Sequence, residues 1–130
     1  MASSFFFRKY QALLNDYILF DALDGAPPLT PERIAGLCRR RSGIGADGVL
    51  VVSREEGDFR MDIFNSDGST AAMCGNGLRC VGKFLADTGR IRPGTTVPVR
   101  TRAGLRSVAV LHHAPAASRV AAKMGWPRIL

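Results

Sequence analysis

The residues of this 130-residue chain best suited to chemistry lie at positions 73–80, which read MCGNGLRC. Two cysteines bracket a Gly-Asn-Gly turn, and an apolar run follows directly. The two thiols could form a metal clamp or a disulfide, could both be buried packing, or could be a nucleophile with an inert neighbour. The residues around them favour some of these alternatives over others.

Metal binding and disulfide formation are the less favoured interpretations. Zinc ligands usually come as C-x₂₋₄-C with a second matching pair, whereas Cys74 and Cys80 are six positions apart and His112-His113 lies far downstream. We interpret the two histidines as surface residues and predict no metal site. An odd count of three cysteines outlines no disulfide framework. It favours a reducing, cytoplasmic setting.

A helix is predicted from Gly75 or Asn76 to about Thr88, with Gly89 as its C-terminal cap. Its apolar positions are Leu78, Val81, Phe84 and Leu85, and its polar edge is Arg79, Lys83 and Asp87. A helix that is apolar around most of its girth is usually buried on several sides.

The two cysteines fall at different places on this helix. Cys80 lies within the apolar girth and is predicted to be core. Cys74 directly precedes the first turn, where unpaired backbone N–H groups and the helix dipole both favour a thiolate. Gly75 and Gly77 leave room for an anionic ligand to approach those amides. Cys74 is therefore either a reactive thiol or an inert capping residue, and the pattern leaves both open.

The rest of the chain predicts an α+β domain in which a sheet curls around a helix. Strands are expected at residues 5–10, 17–22, 49–53, 59–65, 97–101, 105–111 and 118–123. A further helix is expected from the cap Thr30 to Gly43, with one buried stripe. The stripe consists of Ile34, Leu37 and Cys38.

Three asparagines, Asn15, Asn65 and Asn76, each lie in a turn-like setting. They could be turn formers, or they could converge on a polar substrate and offer it both donors and acceptors. The residues alone do not decide between these two roles.

Signals for other functions are weak. Residues 43–48 match G-x-G-x-x-G, but a helix precedes them and a strand follows, the reverse of a dinucleotide site, so a tight loop is predicted. The net charge of +7 is scattered, and Arg39–Arg41 is interpreted as a solvated helix end. Nucleic acid is therefore not expected as a partner. Neither a membrane nor a signal peptide is expected, because apolar runs are short and charges follow residues 5–7.

Taken together, the motifs resemble the diaminopimelate epimerase family over essentially the whole chain. Lys9 to Tyr17 is similar to the family's opening K-x-x-G-x-G-N-D-F, and residues 43–48 are similar to its G-[IV]-G-x-D loop. Residues 63–69 are similar to its [IF]-x-N-x-D-G-S segment, and residues 74–80 to its C-G-N-G-x-R-C. Residues 120–127 resemble the strand that closes the first half of the family's chain.

The resemblance implies a pair of pseudo-symmetric domains, each a mixed, mostly antiparallel sheet wrapped around a central helix, with the active site between them. It implies interconversion of LL- and meso-diaminopimelate, in lysine and peptidoglycan precursor biosynthesis, without a cofactor. One cysteine thiolate removes the α-proton and a second returns one on the opposite face. By this resemblance Cys74 is the first thiol, and Asn15, Asn65, Gly75 and Asn76 contact substrate. A cytoplasmic homodimer is implied for the full-length form.

The chain also departs from the family. Ala12 and Leu14 replace two early glycines, which strains the loop if it needs positive φ or close approach to substrate. Family members are about twice as long, with the second cysteine in their other half. Residues 1–130 are therefore expected to form the N-terminal domain, ending near 127–130, without the C-terminal domain and inactive alone. Two alternatives stay open: a related proline or hydroxyproline racemase, which typically has His where this chain has Asn76, and a non-catalytic basic binding domain.

Overall fold

The computed structural model describes residues 6–72, 74–115 and 118–123. Within these ranges the chain forms eight strands and two helices. They are β1 (Phe7–Ala12), β2 (Asn15–Asp21), α1 (Pro31–Cys38), β3 (Gly48–Glu55), β4 (Asp58–Asn65), β5 (Thr70–Ala71), α2 (Gly75–Asp87), β6 (Thr96–Thr101), β7 (Gly104–His113) and β8 (Ser118–Lys123).

Every element expected from the sequence is present, β8 with the predicted bounds and the others with shifted bounds. The largest difference is at α1, which was predicted to reach Gly43 and ends at Cys38. The two-residue strand β5 was not predicted. Residue 5 of the first expected strand and the closing segment 124–130 lie outside the described residues.

The strands form one mixed sheet in the order β1-β2-β3-β4-β6-β7-β8, with β5 paired to β4. The β2–β3 and β4–β6 pairs are parallel, and the other pairs are antiparallel. Helix α2 contacts β1, β2, β3, β4, β7 and β8, so the sheet curls around it from both ends. The predicted α+β class, a mostly antiparallel sheet wrapped around a central helix, is confirmed.

Alternation along β2 divides the core into two layers. Tyr17 and Leu19 face α2 and join its apolar girth, whereas Ile18 and Phe20 face α1 on the other side of the sheet. This period-2 division is what a strand buried on both faces requires. Cys38 belongs to the second layer at 4% exposure, which confirms its predicted packing role.

Two glycines let α2 lie close to the sheet. A Cβ at Gly82 would come within 2.7 Å of side-chain atoms of both Val108 and Val120. A Cβ at Gly77 would lie 3.1 Å from Leu50. Because neither position has a side chain, the helix axis can approach the strands, and this approach fixes where the N-terminus of α2 lies.

The loop that joins β1 to β2 has positive φ at positions without glycine, the kind of backbone strain considered in the comparison with the family motif. Leu13 and Leu14 have φ of +47° and +75°, a two-residue turn between the paired residues Ala12 and Asn15. Such turns favour Asn and Gly, because a Cβ is disfavoured at positive φ. The positive φ that the sequence analysis considered is present at Leu14, whereas Ala12 lies in β1 and is not among the positive-φ residues.

Replacing Leu14 by glycine is expected to stabilise the chain. Leu14 is fully exposed, so the change removes no packing. A non-glycine residue in the left-handed region costs roughly 1–2 kcal/mol, and the added freedom of glycine in the unfolded chain offsets part of the gain. We expect Leu14→Gly to raise the free energy of unfolding by about 1 kcal/mol in urea titrations.

Leu105→Gly is the matched control, since Leu105 is an exposed leucine in β7. Glycine in a strand interior should lower its free energy of unfolding by roughly 0.5–1 kcal/mol. A Leu14→Gly chain no more stable than wild type would show that the turn is not strained.

Candidate active site

Helix α2 begins directly after Cys74, as predicted. Cys74 is the N-cap residue with extended backbone (φ −149°, ψ 121°), and its side chain makes no capping hydrogen bond. The first helical bond runs from the Leu78 N–H to the Cys74 carbonyl at 3.0 Å. The amides of Gly75, Asn76 and Gly77 therefore have no carbonyl partner within the helix. The half-buried thiol lies at the positive end of a buried helix.

The thiol is hydrogen-bonded to Tyr17, which sequence analysis did not single out. Its hydroxyl oxygen lies 3.0 Å from Cys74 Sγ. Burial, and then the hydrogen bond with Cys74, raise the pKa of Tyr17 above its ordinary value. The phenol therefore keeps its proton at neutral pH and can donate to a thiolate. The sequence feature that could have identified Tyr17 is its hydroxyl-bearing side chain on the α2-facing side of β2, two residues after Asn15.

Asn15 and Asn76 are in direct contact although they are 61 positions apart. The Asn76 amide Nδ2 donates to Asn15 Oδ1 at 2.7 Å. Arg79 donates to Asn76 Oδ1 at 3.1 Å, and Asn15 Nδ2 donates to Asp47 Oδ2 at 3.3 Å. The start of β2 and the first turn of α2 thus share one polar network beside the thiol.

Asn65 reaches the same end of the sheet by a different route. In the strand register its Cα pairs with Gly48, which in turn pairs with Tyr17. Its side chain donates to Ser69 Oγ at 3.0 Å, and its carbonyl accepts from the Gly68 N–H. Within the part of the chain that the structure describes, no hydrogen bond joins Asn65 to Asn15 or Cys74. Asn65 is held as a turn former, and its substrate contact stays a prediction, as do those of Asn15, Gly75 and Asn76.

A charged cluster around Asp16 anchors the start of β2. Asp16 accepts hydrogen bonds from Arg40 and Lys9, each at 2.8 Å, and from the backbone N–H of Asp47. The Arg40 hydrogen bond, and then Lys9, hold the pKa of Asp16 well below its ordinary value. Lys9 also donates to the carbonyl of Gly45. Arg40 is therefore an ion-pair partner and not simply a solvated helix end.

The glycine-rich segment 43–48 is the tight helix-to-strand loop that was predicted. Gly45 has a φ of +87°, and its N–H and that of Ile44 both bond the carbonyl of Leu37 at the end of α1. The loop leads into β3 at Gly48. Its role is to bring Asp47 to Asn15 and Asp16.

The other two thiols are packed in the core. Cys80 is 2% exposed, and burial raises its pKa to about 12. Burial also raises the pKa of Cys38. All three cysteines are free. The predicted burial of Cys80 is confirmed, whereas Cys74 is half-buried.

The two histidines differ from each other. His112 is exposed, whereas His113 is half-buried and its Nε2 lies 2.7 Å from Asp87 Oδ1. Asp87 also accepts from Tyr10 and Lys83, so the polar edge of α2 is an internal network. Among the described residues no group of three or more His, Cys, Asp or Glu could hold a metal ion. None of the helices in the described ranges is both long and apolar enough to cross a bilayer.

Comparison with known proteins identifies the family of this chain. A family model described as diaminopimelate epimerase matches residues 7–130. The chain is 44% identical to the diaminopimelate epimerase of Synechococcus sp. (strain JA-3-3Ab), with 100% of this chain and 45% of that protein covered. It is 47% identical to the chloroplastic diaminopimelate epimerase of Oryza sativa subsp. japonica, with 76% of this chain and 29% of that protein covered. The chain thus spans less than half the length of these relatives.

Solved structures share the fold at lower identity. A hydroxyproline epimerase from Agrobacterium vitis superposes with a TM-score of 0.60 at 20% identity, covering 88% of this chain and 40% of that one. A Bacillus anthracis phenazine biosynthesis protein of the PhzF family gives 0.60 at 19% identity, covering 89% and 38%. These similarities show the fold alone.

The Asp16 cluster gives a pH-dependent contribution to stability. The folded state depresses the pKa of Asp16. Stability from its pairing is therefore complete above the unfolded carboxyl pKa of about 4 and is lost as pH falls below that value. We expect Asp16→Asn to lower the free energy of unfolding at pH 7, and the difference from wild type to shrink between pH 4 and pH 2. Urea titrations at several pH values measure it.

Asp24→Asn, at an exposed carboxylate in the loop after β2, is the control and should change little. An Asp16→Asn difference that is constant with pH would mean that the carboxylate charge does not contribute.

Proposed function

The chain belongs to the diaminopimelate epimerase family, and on that premise we propose that it supplies one of the two catalytic thiols of a cofactor-independent epimerase that acts on diaminopimelate. Residues 1–130 would be the N-terminal half of that enzyme. The observation that carries the proposal is the accessible Cys74 at the N-terminus of a buried helix, hydrogen-bonded to Tyr17. The diaminopimelate epimerases among its relatives name the substrate.

The reaction needs a base on each face of the substrate's α-carbon. The Cys74 thiolate takes the α-proton, and the electron pair of the broken C–H bond stays on the substrate, delocalised into the adjacent carboxylate. A second thiol delivers a proton to the opposite face, which inverts the centre and leaves that sulfur as the thiolate. Cys38 and Cys80 are buried in the core, so we propose that the second thiol lies in the half that the relatives have beyond the matched region.

The first turn of α2 can stabilise the intermediate. An α-hydrogen beside a carboxylate is a very weak acid, so developing negative charge must be met by preorganised donors. The amides that follow Cys74 are such donors, and they require no side-chain movement. We propose that Gly75 and Asn76 bind the carboxylate in this way, and that the amides of Asn15 and Asn65 contact the polar substituents of the amino acid.

A dry site would strengthen these interactions. Closure of a second half over Cys74 would exclude water, which raises the effective basicity of the thiolate and limits proton leakage. We further propose that the full-length protein is a cytoplasmic homodimer active in lysine and peptidoglycan precursor synthesis. That part of the proposal rests on the family resemblance.

A second candidate is a proline or hydroxyproline racemase, because a hydroxyproline epimerase has the same fold at a TM-score of 0.60. The sequence identity of 20% is far below the 44% shared with a diaminopimelate epimerase. We therefore favour diaminopimelate. Diaminopimelate and the two prolines are therefore all tested as substrates. Binding of nucleic acid is measured as well, because the chain carries a net charge of +7.

The proposal is tested with a fusion protein assayed in heavy water. The 130-residue chain alone, incubated with LL-diaminopimelate, is expected to form no meso product. The chain fused to the unmatched remainder of the Synechococcus relative is expected to form meso product with deuterium at the α-carbon. Cys74→Ala in the fusion should lower the rate at least about 100-fold, since a positioned base contributes that much. Chiral chromatography and mass spectrometry measure product and label.

Cys38→Ala is the matched control, because it removes a thiol that lies in the α1 layer, on the other side of the sheet from α2. It should turn over close to the wild-type rate. Turnover of proline or hydroxyproline but not of diaminopimelate would favour the second candidate. Normal turnover by the chain alone, or by Cys74→Ala, would contradict the proposed two-thiol mechanism.

A further inference from the structure

We propose that Tyr17 is a positioning residue for Cys74: its phenol donates a hydrogen bond to the sulfur, stabilises the thiolate and fixes the direction of its lone pairs. The inference rests on the proposed function for the role of Cys74 as a base. It adds a residue that neither the motifs nor the comparisons assign to the site.

Tyr17 is held rigidly at the point where it meets the thiol. It is 5% exposed and lies on β2 between Tyr10 of β1 and Gly48 of β3. A Cβ built on Gly48 would lie 3.5 Å from two ring atoms of Tyr17 and 2.5 Å from the backbone oxygen of Phe64. The Tyr17 ring thus lies close to the backbone of Gly48 on β3, whereas the position itself is restricted to glycine by the Phe64 oxygen. Cys74 has no capping hydrogen bond of its own, so the phenol supplies a fixed reference for the sulfur.

The direction of the hydrogen bond follows from the surroundings of the phenol. Burial first, and then Cys74, Cys80 and Asp47, raise the pKa of Tyr17 above its ordinary value, so its oxygen is protonated at neutral pH. Cys74 and Cys80 belong to the α2 side and Asp47 to the loop before β3, and the titratable residue that pairs with Tyr17 from β1 is Tyr10. The O–H therefore donates to a thiolate. After Cys74 takes a proton, the S–H can donate back to the same oxygen, but the bond to the charged sulfur is the stronger one.

This difference in strength has two opposite effects on reactivity. A hydrogen bond that is stronger to the thiolate than to the thiol stabilises the anion relative to the neutral form. The same bond lowers the intrinsic nucleophilicity of each thiolate, with a Brønsted coefficient of about 0.4–0.5. Removing the hydroxyl should therefore have effects of opposite sign below and above the pH at which the thiol ionises.

The test measures alkylation of Cys74 by iodoacetamide in the 130-residue chain, followed by mass spectrometry of the Cys74 peptide. For Tyr17→Phe we expect a rate at pH 7 about three-fold below wild type, because the lost stabilisation of the thiolate outweighs the gain in its intrinsic nucleophilicity. At pH 10, where thiols are largely ionised, the variant should react roughly two- to three-fold faster than wild type. A crossing of the two rate profiles is the signature, because displaced packing alone would change both rates in one direction.

Tyr10→Phe is the matched control. Tyr10 pairs with Tyr17 in the β1–β2 register and is similarly buried, but its hydroxyl donates to Asp87 at 2.8 Å. Its two rates should equal those of wild type. Equal rates for Tyr17→Phe and wild type, a faster Tyr17→Phe at pH 7, or equal slowing in both variants would each overturn the inference.

A second measurement keeps the inference testable if Tyr17→Phe does not fold. The chain has two tyrosines, so in the Tyr10→Phe background Tyr17 is the sole site for biosynthetic 3-fluorotyrosine. The fluorinated phenol is nearly isosteric and a stronger donor, so the pH 7 rate should rise above that of Tyr10→Phe. An unchanged or lower rate would contradict the inference.

Neither measurement needs turnover. A crossing profile together with an inactive fusion would leave the role of Tyr17 intact and remove the proposed epimerase function. An active fusion with rate profiles that do not cross would support the epimerase function and rule out the role of Tyr17.

Discussion

The burial of α2 inside the curled sheet is the constraint on which the rest of the structure depends. The helix packs on strands from both ends of the sheet, and Gly82 lets it lie against Val108 and Val120. Burying each large apolar side chain of its girth contributes roughly 1.5–3 kcal/mol, so the helix cannot shift along its axis without losing core packing. Hydrophobic packing therefore sets the position of the Cys74 backbone, and the hydrogen bond with Tyr17 orients its sulfur.

A charged cluster on the α1 side of the sheet fixes the start of β2, the strand that meets the N-terminus of α2. Asp16, Arg40 and Asp47 tie the start of β2 to the segment that follows α1 and to the loop that enters β3. Asn15 directly precedes Asp16, and its side-chain oxygen accepts a hydrogen bond from the Asn76 amide of α2. Two scaffolds, the apolar packing of α2 and the charged cluster at the start of β2, thus meet through the hydrogen bond between Asn15 and Asn76. Preorganisation of this kind is what a proton transfer from a weak carbon acid requires.

Much of this could be predicted from local sequence pattern, and the remainder depends on contacts between distant residues. The apolar girth of α2 gave its bounds, its burial and the different roles of Cys74 and Cys80. The sequence predicted that α1 extends too far, because basic residues at 39–41 suit the C-terminal end of a helix. In the structure Arg39 already has an extended conformation (φ −62°, ψ 131°). The Tyr17–Cys74 contact spans 57 positions, and no periodicity within either segment specifies it. The strain at Leu14 was suggested only by comparison with the family motif.

The most direct test of this account is whether folding itself activates the sulfur. The rate of Cys74 alkylation by iodoacetamide at pH 7 is measured in the folded chain and in the same chain unfolded in urea, with free cysteine in both solutions to correct for solvent. The account predicts a higher corrected rate in the folded chain, although folding half-buries Cys74. A folded-state rate equal to or below the unfolded-state rate would contradict the claim that the helix end and Tyr17 together prepare a base.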